Sequence, residues 1–134
     1  MTGENHIPEE PLEWLARAKS SLRLAEMEGE GVLYEDLCYQ AQQAAEKAIK
    51  AVFISRNIPY PYIHSINTLL TILENGGVVI PERVWNTSTL SIYATDMRYP
   101  GFEPLTKDEY IEAISFAGEA VSWTEETIGP GKSR

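Results

Sequence analysis

Along residues 34–56 (YEDLCYQAQQAAEKAIKAVFISR) apolar and small side chains recur at helical spacing: Leu37, Ala41, Ala44, Ala48, Ala51 and Val52. Neither Gly nor Pro interrupts the run, and strong helix formers fill it. The pattern therefore predicts one helix of roughly 34 Å, at about 1.5 Å of rise per residue. Alanine at successive inward positions lets neighbouring helices approach closely, which predicts the central helix of a bundle. The opposite face carries Gln40, Gln43, Glu46, Lys47 and Lys50, with Glu46 and Lys50 at the i, i+4 spacing of a helix-surface ion pair.

The rest of the chain divides around this stretch. Pro11 suits a first helical turn, and Leu12, Leu15, Ala18, Leu22 and Ala25 form one stripe with Trp14 at its edge. Gly29 and Gly31 close that helix and set it antiparallel to the central one. Pro59 and Pro61 keep residues 57–63 out of helix. A short apolar helix (INTLLTILE) comes after His64 and Ser65 and closes at Asn75-Gly76-Gly77. Val78-Val79-Ile80 is a single apolar run without a partner strand, so it predicts a buried connection. Pro81 opens a helix with a weak Thr-rich middle and core positions Val84, Leu90 and Tyr93, stopping at Arg98-Tyr99-Pro100-Gly101. Thr106 and Glu109 form a capping box for a last helix that buries Tyr110, Ile111, Ile114, Ala117, Val121 and Trp123. The sum is an all-α, antiparallel up-and-down bundle of four to five helices. It is one domain over residues 11–128, between a flexible arm (1–10) and a disordered tail (129–134).

Composition narrows the function classes. The chain of 134 residues can bury one core. Its net charge of −9 argues against duplex nucleic acid bound through phosphates, although 11 Lys and Arg leave room for a local basic cluster. A lone Cys38 forms no internal disulfide, and no apolar run approaches the roughly 20 residues of a membrane span. With no basic-apolar leader at the start, the expectation is a soluble cytoplasmic protein without membrane contact. Two histidines, His6 and His64, and one cysteine give no metal-site spacing.

Several motifs taken together resemble the HEPN domain family. They are Trp14-Leu15 with Ala18 and Leu22, the run Cys38 to Ala51 (CYQAQQAAEKAIKA), a His64-Ser65-Ile66 segment, Arg98-Tyr99-Pro100, and Glu103-Pro104-Leu105-Thr106. The resemblance spans roughly Leu12 to Thr127. It implies a helical bundle that is usually dimeric and often acts beside a separate minimal nucleotidyltransferase, in pairs that behave as toxin–antitoxin modules. It also implies nucleotide binding for some members. For others it implies metal-independent RNA cleavage by an Arg followed one to two helical turns later by a His, paired across the dimer.

That ribonuclease motif is not kept: no His comes after Arg98, and Arg56 is separated from His64 by residues 57–63. Two function classes remain. The leading one is a non-catalytic, homodimeric nucleotide-binding or protein-interaction module with no cofactor. The alternative is a ribonuclease drawing on Arg98, His64 or Arg56, with RNA as substrate. Candidate ligand contacts are Arg98 and Tyr99, as guanidinium and stacking ring, and Gln43, Lys47 and Lys50 on the central helix. Their plainer roles are a cation at a helix C-terminus for Arg98, a solvated helix face for the central residues, and backbone hydrogen bonding at a helix entry for His64. The aromatics Tyr60, Tyr62, Trp85, Tyr93, Tyr99 and Phe102 suit a dimer interface better than base stacking on so acidic a chain.

Overall fold

The computed structural model describes residues 10–94 and 103–128. Five α-helices account for most of them: α1 (Pro11–Ala25), α2 (Tyr34–Ser55), α3 (Ile66–Asn75), α4 (Glu82–Trp85) and α5 (Lys107–Ile128). No strand is present among the described residues, and none of their helices is long and apolar enough to cross a membrane.

Paired side chains give the helix directions. Lys50 of α2 lies over Trp14 of α1, and Lys47 bonds Ser21, so α1 and α2 are antiparallel. Tyr34 stacks on Tyr110 at 5.0 Å while the Thr124 hydroxyl donates to the Ala48 carbonyl at 3.0 Å, so α2 and α5 run parallel. The short helices between them carry the chain back to the end where α5 begins. The alanine stripe is fully enclosed: Ala41, Ala44, Ala48 and Ala51 expose nothing, and neither do Ala45, Ile49 and Phe53 on adjoining sides. Burial therefore covers most of the α2 circumference and not one face alone.

The structure departs from the sequence pattern in three places, two of them with a local cause. First, α1 stops at Ala25, ahead of the glycines, because Glu26, Glu28 and Glu30 would lie at the negative end of the helix dipole; Gly31, at φ +83°, makes the reversal. Leu12 at the other end is exposed. Second, the helix expected after Pro81 is α only through Trp85 and continues as a 3-10 stretch over Asn86–Ala94. Asn, Thr and Ser side chains compete there for backbone groups, as when the Thr87 hydroxyl donates to the Val84 carbonyl at 2.6 Å. Third, Val78 and Ile80 are buried but Val79 between them is exposed, and Ile111 on α5 is also exposed.

The predicted capping box forms, and Ser65 adds a cap that the sequence reading did not name. The Ser65 hydroxyl accepts from the Thr68 amide at 3.2 Å, and Gly77 ends α3 at φ +99°. Thr106 and Glu109 exchange reciprocal bonds of 2.9 and 3.1 Å at the start of α5. The Tyr110 hydroxyl then ties α5 to the end of α1 through the Ala25 carbonyl, at 2.7 Å.

Candidate functional site

The chain leaves α2 through Asn57, a non-glycine residue at φ 59°, and Pro59 and Pro61 hold the next residues extended. This brings Tyr60 back against α2, its ring edge-on to Phe53 at 5.2 Å and to Tyr62 at 6.0 Å. The Lys50 ammonium lies over three rings, 4.2 Å from the centroid of Trp14, 5.0 Å from Tyr60 and 5.7 Å from Tyr62. Beside it opens a cleft of about 640 Å³, lined by Ile54, Ile58, Tyr60 and Tyr62 and also by Glu10 and Pro11. Tyr62 leaves 88% of its surface to solvent. No carboxylate pairs with Lys50 among the described residues. Aromatic faces attract the cation without neutralising it, so its charge stays available to an anion.

A second group adjoins the first. The buried Glu46 carboxylate accepts from the Gln42 amide and, through the same oxygen, from His64 Nδ1 at 2.9 Å. Gln43 donates to the Gln42 carbonyl oxygen at 3.0 Å, which fixes the direction of the relay. An ionised carboxylate only accepts, so His64 carries its proton on Nδ1 and turns Nε2 outward. The imidazole is 64% exposed while the Glu46 side chain is 11% exposed.

Burial raises the Glu46 carboxyl above its ordinary value of 4.5, and the bonds from His64 and Gln42 hold part of that rise back. Burial likewise pushes the Tyr60 phenol up, with the Glu46 charge adding to it. Lys47 is pulled down by burial and by the Arg17 charge, and its ammonium donates to Ser21 Oγ at 2.9 Å. Cys38 is buried, and its thiol, pushed up to about 12, offers no nucleophile near neutral pH.

For an acid whose folded pKa is raised, the native state binds the proton more tightly, so stability falls as pH climbs from the unfolded to the folded value. Glu46→Gln removes the buried charge and keeps an acceptor for His64. It is expected to raise stability by about 1 kcal/mol at neutral pH, at the low end for replacing buried charge. The gain should vanish once acid protonates the wild-type carboxyl. Urea melts of both proteins at neutral and acid pH measure this; an equal gain at both would exclude charge burial as its cause.

The expected site residues part company in space. Lys50 lines the cleft, but Lys47 turns toward α1 and Gln43 toward Gln42. Glu46 does not pair with Lys50, as the i, i+4 spacing suggested, because the loop brings His64 to it and the aromatics take the ammonium. His64 correspondingly bonds a side chain on another element and not nearby backbone. Arg56 lines an adjoining cavity of about 410 Å³, which shares Glu10, Pro11 and Ser55 with the cleft and adds Leu12 and Ile128, and it does not join His64. Arg98 and Tyr99 lie outside the described residues, as does Phe102. Sequence reasoning missed Trp14 and Glu46 as site members; an acid inside a run of alanines was the one signal for Glu46.

Comparison with known proteins sets this geometry in a family. The chain resembles TT1696 from Thermus thermophilus, a crystal structure superposing with TM-score 0.78 at 31% identity and covering 89% of this chain and 98% of that one. It also resembles ST0689, described as an archaeal HEPN homologue, with TM-score 0.73, 27% identity and the same coverage. No protein of curated function matches it significantly. The sequence profile of the HEPN domain matches residues 12–127, and the chain belongs to the HEPN domain family.

Proposed function

We propose that the protein is a non-catalytic nucleotide-binding HEPN module whose ligand phosphate sits on Lys50. The observation that carries this is an ammonium held by three aromatic rings, with no carboxylate partner among the described residues, on a chain of net charge −9. The cleft volume, about 640 Å³, suits a small organic ligand. The exposed Tyr62 ring supplies a stacking surface for a base. Arg17, 5.5 Å from the Trp14 ring and 3.8 Å from the Glu13 carboxylate, and Lys47, bonded to Ser21, add basic side chains on the α1 side of Lys50. Family membership supports a homodimer working beside a minimal nucleotidyltransferase, in a toxin–antitoxin-type pair.

Calorimetric titration with ATP, ADP, AMP and cyclic AMP tests this. Saturable binding that weakens with added salt is expected. Lys50→Met should weaken it about ten- to a hundredfold, the range for one charge-assisted phosphate contact. Absence of binding to all four, or binding indifferent to Lys50→Met, would sink the proposal.

One observation favours a second reading, RNA cleavage. His64 is oriented by Glu46 with Nε2 facing solvent, as a general base requires. No described arginine pairs with it: Arg56 lines the adjoining cavity and Arg17 lies over Trp14. Cleavage of RNA in EDTA by the wild type, lost in His64→Ala, would favour this reading over the first.

A further inference from the structure

The cleft's outer wall is attached to the fold in an unusual way. At one end the Ile58 amide donates to the Phe53 carbonyl at 3.0 Å, and its side chain fills the space where a Cβ on Gly76 would stand, 2.8 Å away. At the other end the Ile66 amide donates to Ser91 Oγ at 2.9 Å, where α3 begins. Between these anchors, residues 59–65 make no backbone hydrogen bond back to α2 or to the 3-10 stretch among the described residues; the Ile63 amide reaches only Pro61. Side chains bring the segment onto the bundle: the Tyr60 ring against Phe53, the Tyr60 and Tyr62 rings beside Lys50, Ile63 against the core, and His64 on Glu46 by the segment's one side-chain hydrogen bond to α2 among the described residues. Pro59 and Pro61 stiffen the backbone between the anchors.

We propose that residues 59–65 form a hinged wall of the cleft, latched by the His64–Glu46 hydrogen bond, and that acidification releases the latch and weakens ligand binding. The gating of ligand rests on the nucleotide reading above; the latch itself does not.

The charges around the latch set its sign. From the loop, Glu46 is faced by His64 and by the Tyr60 phenol, which stays neutral. On its own helix Gln42 donates to it, and Lys50 one turn on is drawn to the rings. From α1, the Arg17 charge acts on Lys47. Above its own titration Glu46 is an acceptor for either form of His64, since both forms can carry the Nδ1 proton. Once the carboxyl is protonated, the charge that held the pair is gone. Burial moves this event up from the ordinary carboxylate range toward milder acid. When the pair opens, Tyr60 and Tyr62 lose their place beside Lys50, and the stacking surface leaves with them.

Tyrosine ring NMR on the ligand-free protein reads the latch. The Tyr60 signals are shifted by the edge-on Phe53 ring. In the wild type that shift should collapse as pH falls through the Glu46 titration. In Glu46→Gln, which like the protonated carboxyl has no charge to hold His64, it should be weak and level throughout. In His64→Ala it should be weak at every pH. Cyclic AMP, whose phosphodiester charge is constant over this range, reads the gate. Its affinity should fall about tenfold on acidification of the wild type, the loss when roughly nine-tenths of molecules are unlatched, and stay level in Glu46→Gln. A Tyr60 signal indifferent to pH in the wild type, or titrating alike in Glu46→Gln, overturns the latch. A moving Tyr60 signal with pH-independent cyclic AMP binding overturns the gate and leaves the nucleotide reading standing. A moving signal without binding at any pH overturns the nucleotide reading and the gate while the latch survives.

Discussion

Ala48→Leu is expected to destabilise the protein by about 3 kcal/mol, at the upper end of what overpacking a dense core costs. Ala48 exposes no surface, and its carbonyl accepts the Thr124 hydroxyl at 3.0 Å, so α5 crosses α2 at close range there. Three added side-chain carbons have no void to enter, and interiors at crystal-like density do not yield locally. The strain is relieved only by moving α5 away, and that strips the buried Thr124 hydroxyl of its acceptor. Leaving a buried donor unsatisfied costs about 1–3 kcal/mol more if no other partner is found. For a domain of ordinary stability, roughly 5–15 kcal/mol, this is a large fraction of the total. Urea denaturation should show a lower midpoint with an unchanged slope. Combining it with Thr124→Val should give less than the sum of the two losses, because both act on one contact. Strict additivity, or a midpoint equal to the wild type, would contradict the close approach of α2 and α5.

The same helix marks what periodicity could and could not reveal. Leu37, Ala41, Ala44, Ala48, Ala51 and Val52 were legible as an inward stripe because a 3.6-residue repeat of small side chains has one geometric meaning. The Thr106–Glu109 box was legible for a similar reason, since its chemistry is local. A two-faced reading failed where α2 is covered on a third side. Glu46 belongs to the polar stripe by spacing, yet it is buried, because residues 59–65 fold back over it. Nothing in the order Pro59-Tyr60-Pro61-Tyr62 says which helix the loop returns to. That return is a long-range contact, and it creates most of the site: Tyr60 and Tyr62 reach Lys50, and His64 reaches Glu46. Leu12 and Ile111 erred in the opposite direction. Each lies toward the edge of its helix stripe, where a pattern counts an apolar residue as inward and the neighbouring helix does not reach.

Phe53→Ala should be the most damaging single truncation near the site, at about 3–5 kcal/mol. Phe53 is fully buried at the end of α2, and its carbonyl accepts the Ile58 amide at 3.0 Å where the chain turns. Its ring also seats Tyr60 at 5.2 Å, an edge-on contact worth about 0.5–1.5 kcal/mol beyond area burial. Truncation therefore opens a cavity under the core and removes the apolar seat of the cleft wall in one step. The two effects separate with Phe53→Leu, which keeps most of the buried volume and should cost about 1 kcal/mol. It leaves Tyr60 without an aromatic partner. If the wall is seated by that ring contact, Phe53→Leu should fold normally and still bind nucleotide several-fold more weakly than the wild type, with salt dependence unchanged because Lys50 is untouched. Equal affinities in the two proteins would mean that Tyr60 is held by the His64–Glu46 bond alone, and that Phe53 serves the core and not the cleft.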